Sequence, residues 1–409
     1  MHTPASVRAR FPGVCGTSTA LLDHAGGSPL PACVIDAATQ YMRRCFVQTG
    51  ADYDLSKQAA AVVKAAHEFA ATFLNAGADQ RVVLGPSTTA LAHLLANAVA
   101  DAFAKGDLPK ERDEIVVCSA GHEANVWPWA RLADRGFTIR WWHATPDPTR
   151  TMRLDVAALR ALVGPRTCIV AFPQVSNILG DVWDARALCE AARAAGARSV
   201  VDGVAYAPHR LPDVEAIGCD WYLYSTYKVN GPHMAVMAGR LDAFSPLTGP
   251  NHPFIARDDL PYKFELGGVS HESAAGIGAL DTYMRQFIGA DGTRDSRGVF
   301  TEAFRKIEAI EGELLECLLG KLRADDRVSV IGDPHVSPDR IAIVSFTVKG
   351  RTSESVARQL SERGMGVKRG DFYSRRLIER LGIPVDDGVV RISLAHYNTR
   401  EEIERLKIS

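Results

Sequence analysis

The chain has 409 residues, 46% hydrophobic and 23% charged, with a formal net charge of −1. That length exceeds what one compact core needs and suits two domains, and the near-zero charge gives no electrostatic basis for nucleic acid or an anionic membrane as partner. No apolar run nears the roughly 18 residues that span a bilayer, the start "MHTPASVRARFPGVCG" lacks the apolar stretch of a secretory leader, and eight cysteines without CxxC spacing make neither a disulfide framework nor a zinc site; a reducing cytoplasm and no metal are expected.

From the middle of the chain onward, short apolar runs alternate with helical patterns. "EIVVCS" (114–119) predicts a strand and "EANVWPWARLADRG" one helix ending at Gly136. "FTIRWWH" and "LDVAALRALVG" repeat the alternation, as do "TCIVAFPQVS" and "DARALCEAARAAGA", then "SVVDGVA", a short helix and "WYLYST". Such alternation with β-branched runs implies a parallel sheet covered by helices on both faces, placed here at residues 20–285. "RDDLPYKFELGGVSHES" (257–273) reads as a long polar connector, a length that in a compact domain suggests a functional loop. A long helical stretch, "RGVFTEAFRKIEAIEGELLECLLGKLRA", leads to strands "RVSVIG" and "RIAIVSFTVKG", a helix "SESVARQLSERG" and a last strand "VVRISLAHYN". This predicts a smaller α+β domain over 290–409, packed with residues 1–19.

Two strand ends carry chemistry. "SVVDGVAYAPH" ends in Asp202, and "CDWYLYSTYKVNGPHM" runs from an apolar strand into Ser225, Thr226 and Lys228. In open α/β sheets, ligands sit outside the carboxyl ends of the strands. A lysine that can condense with an aldehyde, and a carboxylate that can keep a pyridine nitrogen protonated, are what pyridoxal 5'-phosphate (PLP) requires. Taken singly, Lys228 also reads as a surface lysine with a buried stem, and Asp202 as a turn residue before Gly203.

Six landmarks in order carry a resemblance: "GPSTTALAHLL" (85–95), "GHEANVWPW" (121–129), "QVSNILGDV" (174–182), "VDGVAYAPH" (201–209), "STYKVNGPH" (225–233) and "VVRISLAHYNTREEI" (389–403). From about residue 20 to its end the chain resembles the class V aminotransferase and cysteine-desulfurase-like family. The resemblance implies a fold type I PLP enzyme: an α/β large domain with a mostly parallel seven-stranded sheet, and a smaller α+β C-terminal domain. It implies that Thr88 and Thr89, joined by Ser225 and Tyr227, bind the cofactor phosphate. The glycine and hydroxyls before the helix suit that task, and they also suit ordinary capping. His122 matches the histidine that stacks on the pyridine and shuttles protons, and Asn177 the residue facing the ring oxygen. Arg391 matches the anchor of the substrate α-carboxylate, for which a guanidinium fork is suited. Catalysis is thus expected of Lys228, His122 and Asp202.

The chain departs from its look-alikes in three places. In "GMGVKRGDFYSRRL" (364–377), Tyr373 falls where desulfurases carry their mobile cysteine, and no cysteine follows Cys317. A phenol cannot accept sulfane sulfur as a thiolate does, so persulfide relay is not expected; Cys118 reads as a small buried residue. Ala205 stands where glutamine or histidine neighbours the ring oxygen, and Gly268 where a threonine reaches the neighbouring subunit's phosphate. Both changes fit a pocket for an unusual substrate, and both fit drift. The expected activity is a C–S β-lyase on a cysteine S-conjugate in a specialised, antibiotic-type pathway, akin in style to the PLP enzymes of lincosamide tailoring. The alternatives are a decarboxylation-coupled oxidative deaminase, an isopenicillin-N-epimerase-like epimerase and a catalytically silent PLP-fold binding protein. A small amino-acid substrate and a homodimer are the expected partners.

Overall fold

The computed structural model describes residues 4–408. Its centre is a seven-stranded sheet in the spatial order Gln80–Gly85, Ala235–Arg240, Trp221–Ser225, Arg198–Asp202, Thr167–Pro173, Glu114–Cys118 and Thr138–Trp142. Only Ala235–Arg240 runs against its neighbours; every other pairing is parallel. Successive side chains on a strand point to opposite faces, so each strand feeds two cores. Leu84, Val116, Tyr222 and Tyr224 fill one, and Val83, Ile115, Trp221 and Leu223 the other. That two-sided burial explains why these strands read as near-continuous apolar runs.

Helices seal both faces, and their ends follow local chemistry. Thr88–Lys105 starts at Ser87, whose hydroxyl accepts the Ala90 N–H at 3.1 Å, and stops at Gly106, which takes the left-handed φ of 83° that glycine adopts without strain. Ser296–Arg323 is capped by Asp295, and its leucines at 314, 315, 318, 319 and 322 form one stripe. The stripe packs on a four-stranded antiparallel sheet ordered Val328–Ile331, Ile343–Val348, Val389–Ser393 and Lys368–Gly370. Near the N-terminus, Arg8 pairs with Glu402 at 2.8 Å, Phe11 packs edge-on to Tyr283, and Ala20–Leu21 adds in parallel to Met365–Gly366. No helix of the described residues is long and apolar enough to cross a membrane.

Several expectations need correction. The single helix read over 123–136 is three short pieces, Glu123–Asn125, Trp127–Ala130 and Arg131–Arg135. Pro128 withholds the N–H that would continue the first piece into the second. The connector read over 257–273 gives up its last three residues to a helix, His271–Ile288, capped by Ser270. The final strand is shorter than "VVRISLAHYN": it stops at Ser393, and 394–399 turn into a capping box on Thr399 and Glu402.

Candidate active site

The sheet topology gathers the site. Gly85 and Ser225 flank the same residue, Ala235, from either side, and Asp202 lies in register with Pro173. The carboxyl ends of four strands therefore open on one edge, where the N-terminus of the 18-residue helix Thr88–Lys105 also points.

A cavity of about 70 Å³ lies there, lined by Thr88, His122, Asp202, Ser225, Tyr227 and Lys228 among others. A second, of about 400 Å³, shares His122, Asn177, Tyr227 and Lys228 with it and continues to Lys368, Phe372, Tyr373 and Arg391. Each residue expected at the site from the sequence lines one or both of these spaces, Thr89 included.

At the hydroxyl end, Thr88 and Ser225 share a hydrogen bond of 2.8 Å, and burial raises the Tyr227 phenol above its ordinary range, with the Ser225 hydroxyl opposing that rise. Tyr227 is steadied by flat stacking on His233, with centroids 4.8 Å apart and planes 4° from parallel. Thr89 is exposed at the next position of the helix. Ser87 spends its hydroxyl on the cap, so the helix-end N–H groups, Thr88, Ser225 and Tyr227 remain as the anion cradle.

Lys228 and Asp202 face each other electrostatically. Asp202 is buried and accepts the Val204 N–H at 2.9 Å through one oxygen; its second oxygen bonds to no described residue. Burial raises its carboxyl above the usual range, and the Val204 N–H and the Lys228 charge oppose that rise. Lys228 follows Ser225 in a single 3-10 turn, held from outside by Ser28, which accepts the Asn230 N–H at 2.7 Å and donates to the Tyr227 carbonyl at 2.6 Å. Burial, then the Arg391 charge, lowers the Lys228 ammonium to about 8, against the pull of Asp202 and Asp23. No described residue accepts a hydrogen bond from its amine.

His122 is brought down to about 3 by burial and by the nearby Lys228 and Arg391 charges, so it is neutral at physiological pH. Its Nδ1 accepts the Ala124 N–H at 3.0 Å, which leaves the ring proton on Nε2. The Tyr373 ring lies 5.2 Å from it.

Arg391 sits in the middle of its strand, 3% exposed. It pairs with Asp23 at 3.1 Å, donates to the Asn177 carbonyl at 3.3 Å, and carries the Phe372 ring 3.8 Å over its guanidinium. Phe372 and Tyr373 both have left-handed backbone, φ 49° and 58°, a costly conformation for side-chain-bearing residues. The loop is pinned at several points. Asn177 donates to the Phe372 carbonyl at 3.0 Å and accepts from the Ser374 hydroxyl at 2.7 Å, and the Glu123 N–H donates to the Tyr373 carbonyl at 2.8 Å. The Asn177 amide is therefore tied to this loop at both ends, keeping one N–H for a ligand.

Sequence reasoning did not single out Asp23, Ser28, Phe372 or Ser374. Asp23, in "LLDHAGG", had a signal in the apolar residues before it, but its partner lies 368 positions away. Of the departures, Ala205 lines the smaller cavity. Gly268 is exposed, has φ 88°, and borders neither cavity around Lys228. Cys118 is buried, its thiol pushed up to about 12.

The donor set fits PLP. The smaller cavity holds an anion cradle, a buried carboxylate with one unused oxygen and no formal cation bonded to it, and a free amine between them.

Comparisons with known proteins agree in kind. A family profile described as aminotransferase class-V matches residues 20–406. An aminotransferase-like protein, FGM3, of Gibberella zeae is 34% identical over 412 residues, 99% of this chain and 96% of the relative. A cysteine desulfurase of Klebsiella pneumoniae is 32% identical over 420 residues, covering 98% and 95%. Among solved structures, the cysteine desulfurase from Thermococcus onnurineus NA1 superposes with a TM-score of 0.82 at 23% identity over 99% of this chain and 96% of that one, a likeness of fold.

Proposed function

The chain belongs to the aminotransferase class-V family and is a PLP-dependent enzyme, and from that premise we propose that it cleaves the C–S bond of a cysteine S-conjugate by β-elimination. When bound, PLP supplies an electrophilic aldehyde and a ring that accepts electrons from the substrate Cα.

This chain's residues divide the remaining work. The helix end at Thr88 and Thr89, with Ser225 and Tyr227, would hold the phosphate. Asp202 would take a ring N–H on its unused oxygen. Asn177 would offer its remaining N–H to the ring oxygen, and the neutral His122 ring would cover the pyridine face and donate from Nε2. Arg391 would receive the α-carboxylate and fix the amino acid against Lys228. The Lys228 amine, unprotonated in part at neutral pH, is the base for the Cα proton. The thiolate then leaves from Cβ, and with one water the remaining three carbons end as pyruvate and ammonia.

One observation carries this reading. None of the described cysteines lines either cavity, and Tyr373, tilted over His122, occupies the loop where a persulfide-forming thiol would stand. The same departures, with Ala205, support a specialised biosynthetic role. We also assign a homodimer, supported by the exposed apolar side chains Met42, Phe46, Tyr53, Phe254, Tyr262 and Leu266.

Product analysis tests the reaction. The PLP-loaded enzyme with an S-alkyl cysteine should release thiol, pyruvate and ammonia in equal amounts. Carbon dioxide with an aldehyde would replace this reading by oxidative deamination, an inverted amino acid by epimerisation, and a protein persulfide by desulfuration.

A further inference from the structure

The larger cavity carries more positive charge than its neighbours neutralise. Arg391 has Asp23 at 3.1 Å. Arg369 has Glu354 at 3.4 Å and donates to the Asp386 carbonyl at 2.9 Å. The Asp371 carboxylate is turned back on its own loop, accepting the Tyr373 N–H at 3.0 Å. Lys368 also lines this cavity and has no carboxylate partner among the described residues.

Its position is specific. In the antiparallel pairing of Lys368–Gly370 with Val389–Ser393, Lys368 stands directly opposite Arg391. Directly opposed residues share a face of the sheet, with Cβ atoms roughly 5 Å apart, and like charges so placed destabilise the pair. Asp23 relieves Arg391 but leaves the second cation uncompensated. Lys368 is exposed where Arg391 is buried, so the two mark the outer and inner ends of one wall. Its charge also reaches Lys228, whose ammonium it helps to depress. A space of about 400 Å³ falls within the range of sites that enclose a small organic ligand.

The geometry points to Lys368 as a specificity-determining residue that receives a second carboxylate, on the side chain of the amino-acid substrate, while Arg391 takes the α-carboxylate. The substrate class is then a cysteine conjugate with an acidic S-substituent. The inference rests on Arg391 being the α-carboxylate anchor, and it does not depend on which substrate bond breaks.

Binding without turnover tests it. Two amine-free ligands are titrated calorimetrically into the PLP-loaded enzyme: 3-(carboxymethylthio)propanoate, a dicarboxylate, and 3-(propylthio)propanoate, a monocarboxylate. The dicarboxylate should bind at least tenfold more tightly. Lys368→Gln should erase that preference with little change for the monocarboxylate, and Lys368→Arg should keep it. Equal affinity for the two ligands in the wild-type protein would overturn the inference. So would a Lys368→Gln loss shared equally by both, which would place Lys368 on the α-carboxylate. An Arg391→Leu variant that still binds the monocarboxylate at full strength would remove the anchor and the inference together. Failure of the elimination assay leaves these binding results standing on their own.

Discussion

Two lysines in this molecule share a property and differ in use. Burial pushes both Lys228 and Lys263 down to about 8. Lys263 is 2% exposed, and its ammonium donates to the Phe244 carbonyl at 3.0 Å and the Arg257 carbonyl at 2.6 Å, tying the connector before His271–Ile288 to the large sheet's periphery. Lys228 has cavities in front of it, a carboxylate beside it and no acceptor among the described residues. A depressed ammonium alone does not mark a reactive amine. What separates the two is whether the nitrogen is already spent on carbonyls or left facing space.

The sharpest way to break this contrast is to remove each lysine in turn. Lys228→Ala should lower turnover by about 10²- to 10⁴-fold or more and release PLP on dialysis, read by loss of the cofactor's absorbance. Lys263→Met should leave turnover within about twofold.

The pH dependence of PLP capture by the apoprotein sharpens the same point. The unprotonated amine attacks the aldehyde, so capture rises with pH. With Lys228 at about 8, the free-base fraction climbs from about 1% at pH 6 to about 90% at pH 9 and then levels off. An ordinary lysine, at 10.5, would keep gaining about tenfold per pH unit over that range. A plateau above pH 9 in stopped-flow absorbance supports the shifted amine.

On the substrate side, Arg391→Leu should raise KM by roughly 10- to 100-fold, the worth of a hydrogen bond to a charged group, with a smaller change in kcat. Steady-state kinetics reads the split. Lys263→Met should cost about 1–3 kcal/mol of stability, because two carbonyls lose a buried donor; denaturant unfolding measures it. The smallest effect is expected from Tyr373→Cys. The loop is pinned by Asn177, Ser374 and the Glu123 N–H, so a thiol there lacks freedom to travel, and no protein persulfide should appear on incubation with cysteine.

The cofactor half of the site was legible because its residues are local. Asp202 and Ser225 end consecutive strands whose apolar alternation is visible in "SVVD" and "WYLYS", Lys228 follows three residues after Ser225, and the hydroxyls of "GPSTT" stand at the start of a helix. The α/β class follows from the same periodicity, and the seven-stranded sheet from the resemblance. What escaped was tertiary. Nothing near Asp23 announces Arg391, and nothing near Asn177 announces that Phe372 and Ser374 hold its amide. Lys263 looks like any connector lysine until its carbonyl partners are seen. The helix misread over 123–136 failed on Pro128, a local signal outweighed there by helical periodicity.

Borohydride reduction of the PLP-loaded enzyme, followed by peptide mapping, tests the central claim most directly. The account predicts a single pyridoxyl group, on Lys228. A pyridoxyl group on Lys263 or on any other lysine, with Lys228 unmodified, would contradict it.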